Sequence, residues 1–235
     1  MRELLAIPFT DLYRGVNRAT DAVGAGALPL LFAACAAGWW VYVPVHELMH
    51  AWGAQLGGAT VTRLDIDPWY GARLLQRFFP YVHPGSAYAG QLAGFDTHGS
   101  DLAYALAVIF PFVLTVVVGV PVLVRALRAR PSAASALLFG LVLPAAWAPI
   151  LSIGGDYYEL GAIATSRVAG MFGVDGGRWR GDDVVAVLGR VSGAGDAIGV
   201  GASLLLGIVL AFATYAGPRL AAARFGRPLA ARRNL

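Results

Sequence analysis

Lysine is absent from this chain, and all 18 of its basic residues are arginine. Together with the abundance of Ala, Gly and Val, this bias matches a GC-rich coding sequence. Cys35 is the only cysteine, which excludes an intrachain disulfide, and its position inside an apolar run suits small-residue packing. Charge is scarce as well. Charged residues make up 14% of the chain against 57% hydrophobic, and the mean hydropathy is +0.63. That balance excludes an ordinary soluble domain and indicates a polytopic membrane protein. The arginines stand beside apolar segments without aromatic interleaving, which argues against a nucleic-acid partner and turns the basic balance into a topology signal. Residues 1–26 carry Arg2, Glu3, Asp11, Arg14, Arg18 and Asp21 and lack the basic-then-apolar plan of a cleaved signal peptide, so the first apolar segment is expected to be retained.

What is present is a set of long apolar runs. Four reach the roughly 20 residues that cross a bilayer: Ala27 to Trp52, Leu102 to Val124, Ala133 to Ile153, and Ile198 to Ala216. Arg125, Arg128 and Arg130 lie between the second and third. Arg219, Arg224, Arg227, Arg232 and Arg233 follow the fourth. The positive-inside rule places both groups in the cytoplasm, and parity then puts the N-terminus inside and the connections 53–101 and 154–197 outside. The expectation is an integral multi-pass protein of a bacterial or archaeal cytoplasmic membrane, all-α, with about four transmembrane helices. It divides into a cytoplasmic N-terminal segment over 1–26, a transmembrane domain over 27–217 and a basic tail over 218–235. Asp156 to Phe172 is too short to cross and contains Arg167, which predicts an interfacial or re-entrant helix. Residues 173–197, rich in Gly and Asp with an amphipathic turn or two around Val184 to Val191, read as a solvated connector.

At the end of the first run stands His46-Glu47-Leu48-Met49-His50. Residues four apart lie one above the other on a helix, so His46 and His50 can share one Zn²⁺ while Glu47, about 100° round, reaches a water as general base. A catalytic zinc takes three protein ligands as a rule, and the candidates for the third are His83, His98, Asp156 and Glu159. Asp156 follows a span and a Gly-Gly break, where an acid is costly unless it coordinates or pairs. Glu159 shares its helical face and could ligate or orient a histidine. Gly53 and Gly57 continue the histidine face and leave room for a neighbouring helix. Arg63-Leu64-Asp65-Ile66-Asp67 alternates polar and apolar residues before Pro68, which predicts a small strand offering an edge to an extended peptide, with Trp69 and Tyr70 as interface anchors.

From His46 through Gly57, Gly58 and Val61, this stretch resembles the start of the site-2 protease family of intramembrane zinc metalloproteases. There an H-E-x-x-H helix runs into small residues, a Gly and a strand, and a later L-D-G motif supplies an aspartate ligand. The resemblance assigns that aspartate's place to Asp156 in Ile153-Gly154-Gly155-Asp156. Tyr157 stands where the family has Gly, the family's Asn and Pro-x-Pro lead-in is missing, and no PDZ-type insertion is identifiable. The resemblance implies a Zn²⁺-dependent endopeptidase acting on a membrane-spanning or membrane-adjacent peptide, with Glu47 as base and His46, His50 and Asp156, or alternatively Glu159, as metal ligands. Two alternatives stay open: a non-catalytic metal-binding protein that holds a membrane client, and a membrane metallohydrolase acting on a lipidated substrate.

Overall fold

The computed structural model describes residues 2–86 and 88–225. Its helices and strands run in the order α1 (Arg2–Val23), α2 (Ala27–Leu56), β1 (Thr60–Ile66), α3 (Ala72–Leu75), β2 (Val82–Pro84), β3 (Gly90–Asp96), α4 (Asp101–Ile109), α5 (Val120–Arg128), α6 (Ala133–Leu151), α7 (Asp156–Met171), α8 (Val184–Leu188) and α9 (Ala194–Phe225). Four helical stretches are long and apolar enough to cross a membrane: Leu4–Leu56, Asp101–Arg128, Ala133–Met171 and Ala194–Ala222. Each contains one of the four runs legible in the sequence. Large apolar side chains face outward along them, Phe32 at 80% and Ile198 at 72% exposure, the reverse of a helix in a soluble protein.

The chain divides into two compact units. The first holds the described residues up to Trp39, Leu114–Ala148, and those from Phe212 onward. Its core gathers Ala19 of α1, Leu31 of α2, Val120 and Leu123 of α5, Phe139 of α6 and Tyr215 of α9. Inside it the carboxylate of Asp11, 2% exposed, accepts both a 2.6 Å bond from Nε and a 3.1 Å bond from a terminal nitrogen of Arg219. This fork satisfies a charge that would otherwise be buried at a cost of several kcal/mol. The N-terminal segment thus contains a 22-residue helix, a feature absent from the sequence reading. At the other end α9 continues through Pro218 to Phe225, past the point where the basic tail was expected to begin. Arg227, Arg232 and Arg233 lie outside the described residues.

The second unit comprises Trp40–Val113 and Pro149–Ala211. A three-stranded sheet of order β2-β1-β3 follows α2, with β1 parallel to β2 and antiparallel to β3. Leu64 and Ile66 of β1 are fully buried with Val82 of β2 against Leu48 and Ala51 of α2. The alternation read over 63–67 is therefore a strand, but it is the central one. Over residues 64–66 both of its sides are already paired, so that stretch offers no edge to a substrate, and that expectation is corrected. Local alternation encodes which face is buried and carries no information on strand order. The 173–197 connection also differs from a solvated connector. Trp179 and Val187 are 6% and 1% exposed in a cluster with Tyr158, Ala162 and Val200, and the Tyr158 hydroxyl donates to the Trp179 carbonyl at 2.9 Å. Two buried apolar side chains anchor a segment whose Gly and Asp content reads as loop.

Candidate metal centre

The centre is built where the end of α2, the last turn of α4 and the start of α7 meet. Small residues make this possible. A Cβ on Gly53 would overlap the Leu106 carbonyl and Phe110, and one on Gly57 would overlap the Ala103 backbone. The backbones of α2 and α4 can approach only because these side chains are missing, as the glycine spacing predicted. The approach brings the Ala107 carbonyl within 2.8 Å of His50 Nδ1. A carbonyl can only accept, so Nδ1 is the donor, which leaves Nε2 as the ring nitrogen turned toward the centre. One turn before His46, the Tyr42 hydroxyl lies 2.6 Å from His46 Nδ1, which directs that ring's Nε2 toward the same space.

The third group arrives from a break in the chain. Helix α6 ends at Leu151, Ser152–Gly155 turn, and α7 begins at Asp156, with the amides of Gly155 and Tyr157 both donating to the Ser152 carbonyl. Asp156 sits in the first helical turn, where the helix dipole favours a carboxylate. The Ser152 hydroxyl holds its Oδ2 at 2.8 Å. The carboxylate presents one oxygen to each ring, Oδ2 at 3.7 Å from His46 Nε2 and Oδ1 at 3.7 Å from His50 Nε2, and the two Nε2 atoms are 3.1 Å apart. Donors on a tetrahedral zinc, at roughly 2.0–2.2 Å from the metal, stand about 3.3 Å from one another. The separation of the two Nε2 atoms is close to that value, and the carboxylate stands slightly farther off, meeting each ring with a different oxygen. Acceptor atoms gathered this closely need a cation or a proton among them, so the space they surround is suited to a positive charge.

Glu47 lies beside the histidines, 9% exposed. His46, Glu47 and His50 bring ligand atoms within 4.8 Å of one another, so this group could hold a metal ion. Gly90, the first residue of β3, backs directly onto Glu47, and a Cβ there would overlap its carboxylate. Glu159, three residues after Asp156, accepts a 2.9 Å bond from the Tyr104 hydroxyl of α4. Asp101 of α4 in turn takes ion pairs from Arg167 and Arg180. His83 and His98 are engaged elsewhere. His83, in β2, donates through Nδ1 to the Tyr81 carbonyl at 3.1 Å, and His98 bonds Thr60 at 3.0 Å and pairs with Asp96 at 3.3 Å.

The sequence reading missed Tyr42, Ser152, the Ala107 carbonyl and Gly90. For the first two a signal exists: each is a hydroxyl residue four positions before a candidate ligand, Tyr42 on the same helical face as His46 and Ser152 in the turn that leads into Asp156. The other two depend on contacts across the fold and leave no local trace. No family model, curated protein or solved structure shows significant similarity to the chain.

Proposed function

We propose that the protein is a zinc-dependent intramembrane endopeptidase of site-2 protease type, embedded through its four long apolar helical stretches. The observation that carries this reading is the convergence of His46, His50 and Asp156 on one space with Glu47 beside it. Three of these four come from the motif helix and the fourth from a chain break in a different stretch. His46 and His50 would hold the ion with Asp156, and Ser152, Tyr42 and the Ala107 carbonyl fix the orientation of those three side chains. Bound Zn²⁺ would supply a Lewis acid for the scissile carbonyl and lower the pKa of the attacking water. Glu47 takes the proton from that water and delivers it to the leaving amine nitrogen. Glu159, tied to Tyr104, supports the start of α7 instead of ligating.

A helical substrate must be unwound before its carbonyl can be attacked, and strand pairing is one way to hold it extended. With β1 central, the strand suited to this is β3, whose outer edge has no partner strand among the described residues and whose first residue touches Glu47. The preserved Glu47 favours an enzyme over a metal-binding protein that only holds a client, since binding alone needs no base. The test is cleavage of a labelled transmembrane peptide and of a lipidated peptide by purified protein, each with and without a chelator. Chelator-sensitive cleavage of the first supports the proposal. Cleavage of the lipidated peptide alone would favour the lipid-directed hydrolase, and binding without cleavage the client-holding protein.

A further inference from the structure

A second feature lies in the other unit and owes nothing to the metal centre. Asp11, Arg14, Asn17 and Arg18 of α1, Val124, Leu127 and Arg128 of α5, and Arg219 of α9 line a cleft of about 330 Å³. Four guanidinium groups thus surround one carboxylate. Arg219 is neutralised by its fork on Asp11, with Tyr215 adding a 3.4 Å bond to the same carboxylate. The other three cations have no acid partner among the described residues. Arg18 donates to the Ala129 carbonyl and Arg128 to the Ala222 carbonyl at 3.0 Å, while Arg14 is exposed without a side-chain partner among the described residues. Carbonyl contacts orient these guanidinium groups without cancelling their charge.

Arg14 and Arg18 are one helical turn apart and so share a face, which Arg128 joins from α5. Val124 and Leu127 form an apolar floor. Planar forked donors in this number suit the oxygens of a phosphate, and an apolar floor beside them suits the glycerol end of a lipid.

We propose that this cleft is a binding site for an anionic phosphate group, with Arg14, Arg18 and Arg128 as its donors and the Asp11–Arg219 pair as its fixed wall. The phosphate can come from an anionic lipid headgroup or from free phosphate, and the two sources are separable. Full-length protein in detergent is titrated with short-chain phosphatidylglycerol, with phosphatidylcholine of the same chains, and with inorganic phosphate, and binding is read by native mass spectrometry. Phosphatidylglycerol is expected to bind at least tenfold tighter than phosphatidylcholine, whose choline compensates the phosphate charge. Each arginine removed should weaken it about fivefold, so Arg14→Gln with Arg128→Gln lowers affinity by roughly 25-fold while Asp11–Arg219 stays intact. Arg14→Gln alone, at an exposed position, guards against misfolding of the double variant, and Arg63→Gln in β1 is the control expected to bind as the wild type does. Tighter binding of inorganic phosphate than of phosphatidylglycerol assigns the cleft to a free phosphate. Equal binding of the two lipids with no phosphate binding, or unchanged affinity in the arginine variants, overturns the proposal.

Discussion

At the scale of single residues, the proposed centre depends on side chains that touch the candidate ligands as much as on those ligands. Tyr42 fixes one histidine ring through a 2.6 Å contact at Nδ1. Tyr42→Phe removes the hydroxyl and little else, and groups of this kind are worth roughly 10- to 100-fold in metal affinity. Zinc titration with a competing chelator should therefore show a loss of about tenfold, with the fold intact by circular dichroism. Unchanged affinity would show that His46 is oriented by its helix alone. Gly90 makes the complementary point, because its missing side chain is what leaves room for Glu47. Gly90→Ala overpacks that contact at a cost of about 1–3 kcal/mol and pushes the carboxylate aside. The expected outcome is normal zinc content with turnover reduced by more than tenfold, measured on the same sample. Wild-type turnover would mean that Glu47 does not need the position it holds.

At the scale of elements, the start of α7 carries both acids that could complete the proposed donor set. Asp156 faces both histidines at 3.7 Å and is held by Ser152, whereas Glu159 is held by Tyr104. Asp156→Asn should lower zinc occupancy sharply, and Glu159→Gln should leave occupancy near normal while altering activity. Metal analysis of the two variants in one detergent at one pH checks the ranking, and loss confined to Glu159→Gln would transfer the ligand role. The sequence favoured Asp156 through its place directly after a span and a Gly-Gly break and through the resemblance, since i and i+3 on one helix share a face and spacing alone cannot rank the two acids. The motif helix was legible because its chemistry repeats at the helical period. The strand at 60–66 was legible as a strand and not as the central one, because pairing is a long-range property. The docking of 173–197 through Trp179 was hidden for the same reason: an isolated aromatic in a Gly-rich stretch gives no local sign of what buries it.

At the scale of the whole molecule, the four long apolar helical stretches were plain in the sequence, because apolar length is additive along the chain. Helix α1 was not, since Arg14, Arg18 and Asp11 read as a polar N-terminal segment until Asp11 is seen buried against Arg219. The arginine distribution predicts the orientation of the chain. After Cys35→Ala, single cysteines placed in the Arg125 to Arg130 loop should be labelled only from the cytoplasm, and those in 173–193 only from outside. Labelling of both from one side would overturn that orientation.

The claim at the centre of the account is that Glu47 acts on water next to a metal held by its neighbours, and one paired measurement addresses it. Zinc content and cleavage of a labelled transmembrane peptide are determined on the same preparations of wild type and Glu47→Gln. The amide keeps the size and polarity of the side chain but cannot take the proton. The account predicts about one zinc per chain in both, with cleavage in the wild type and at least a hundredfold less in the variant. Equal cleavage by both proteins, or a wild type that binds no zinc, would contradict it.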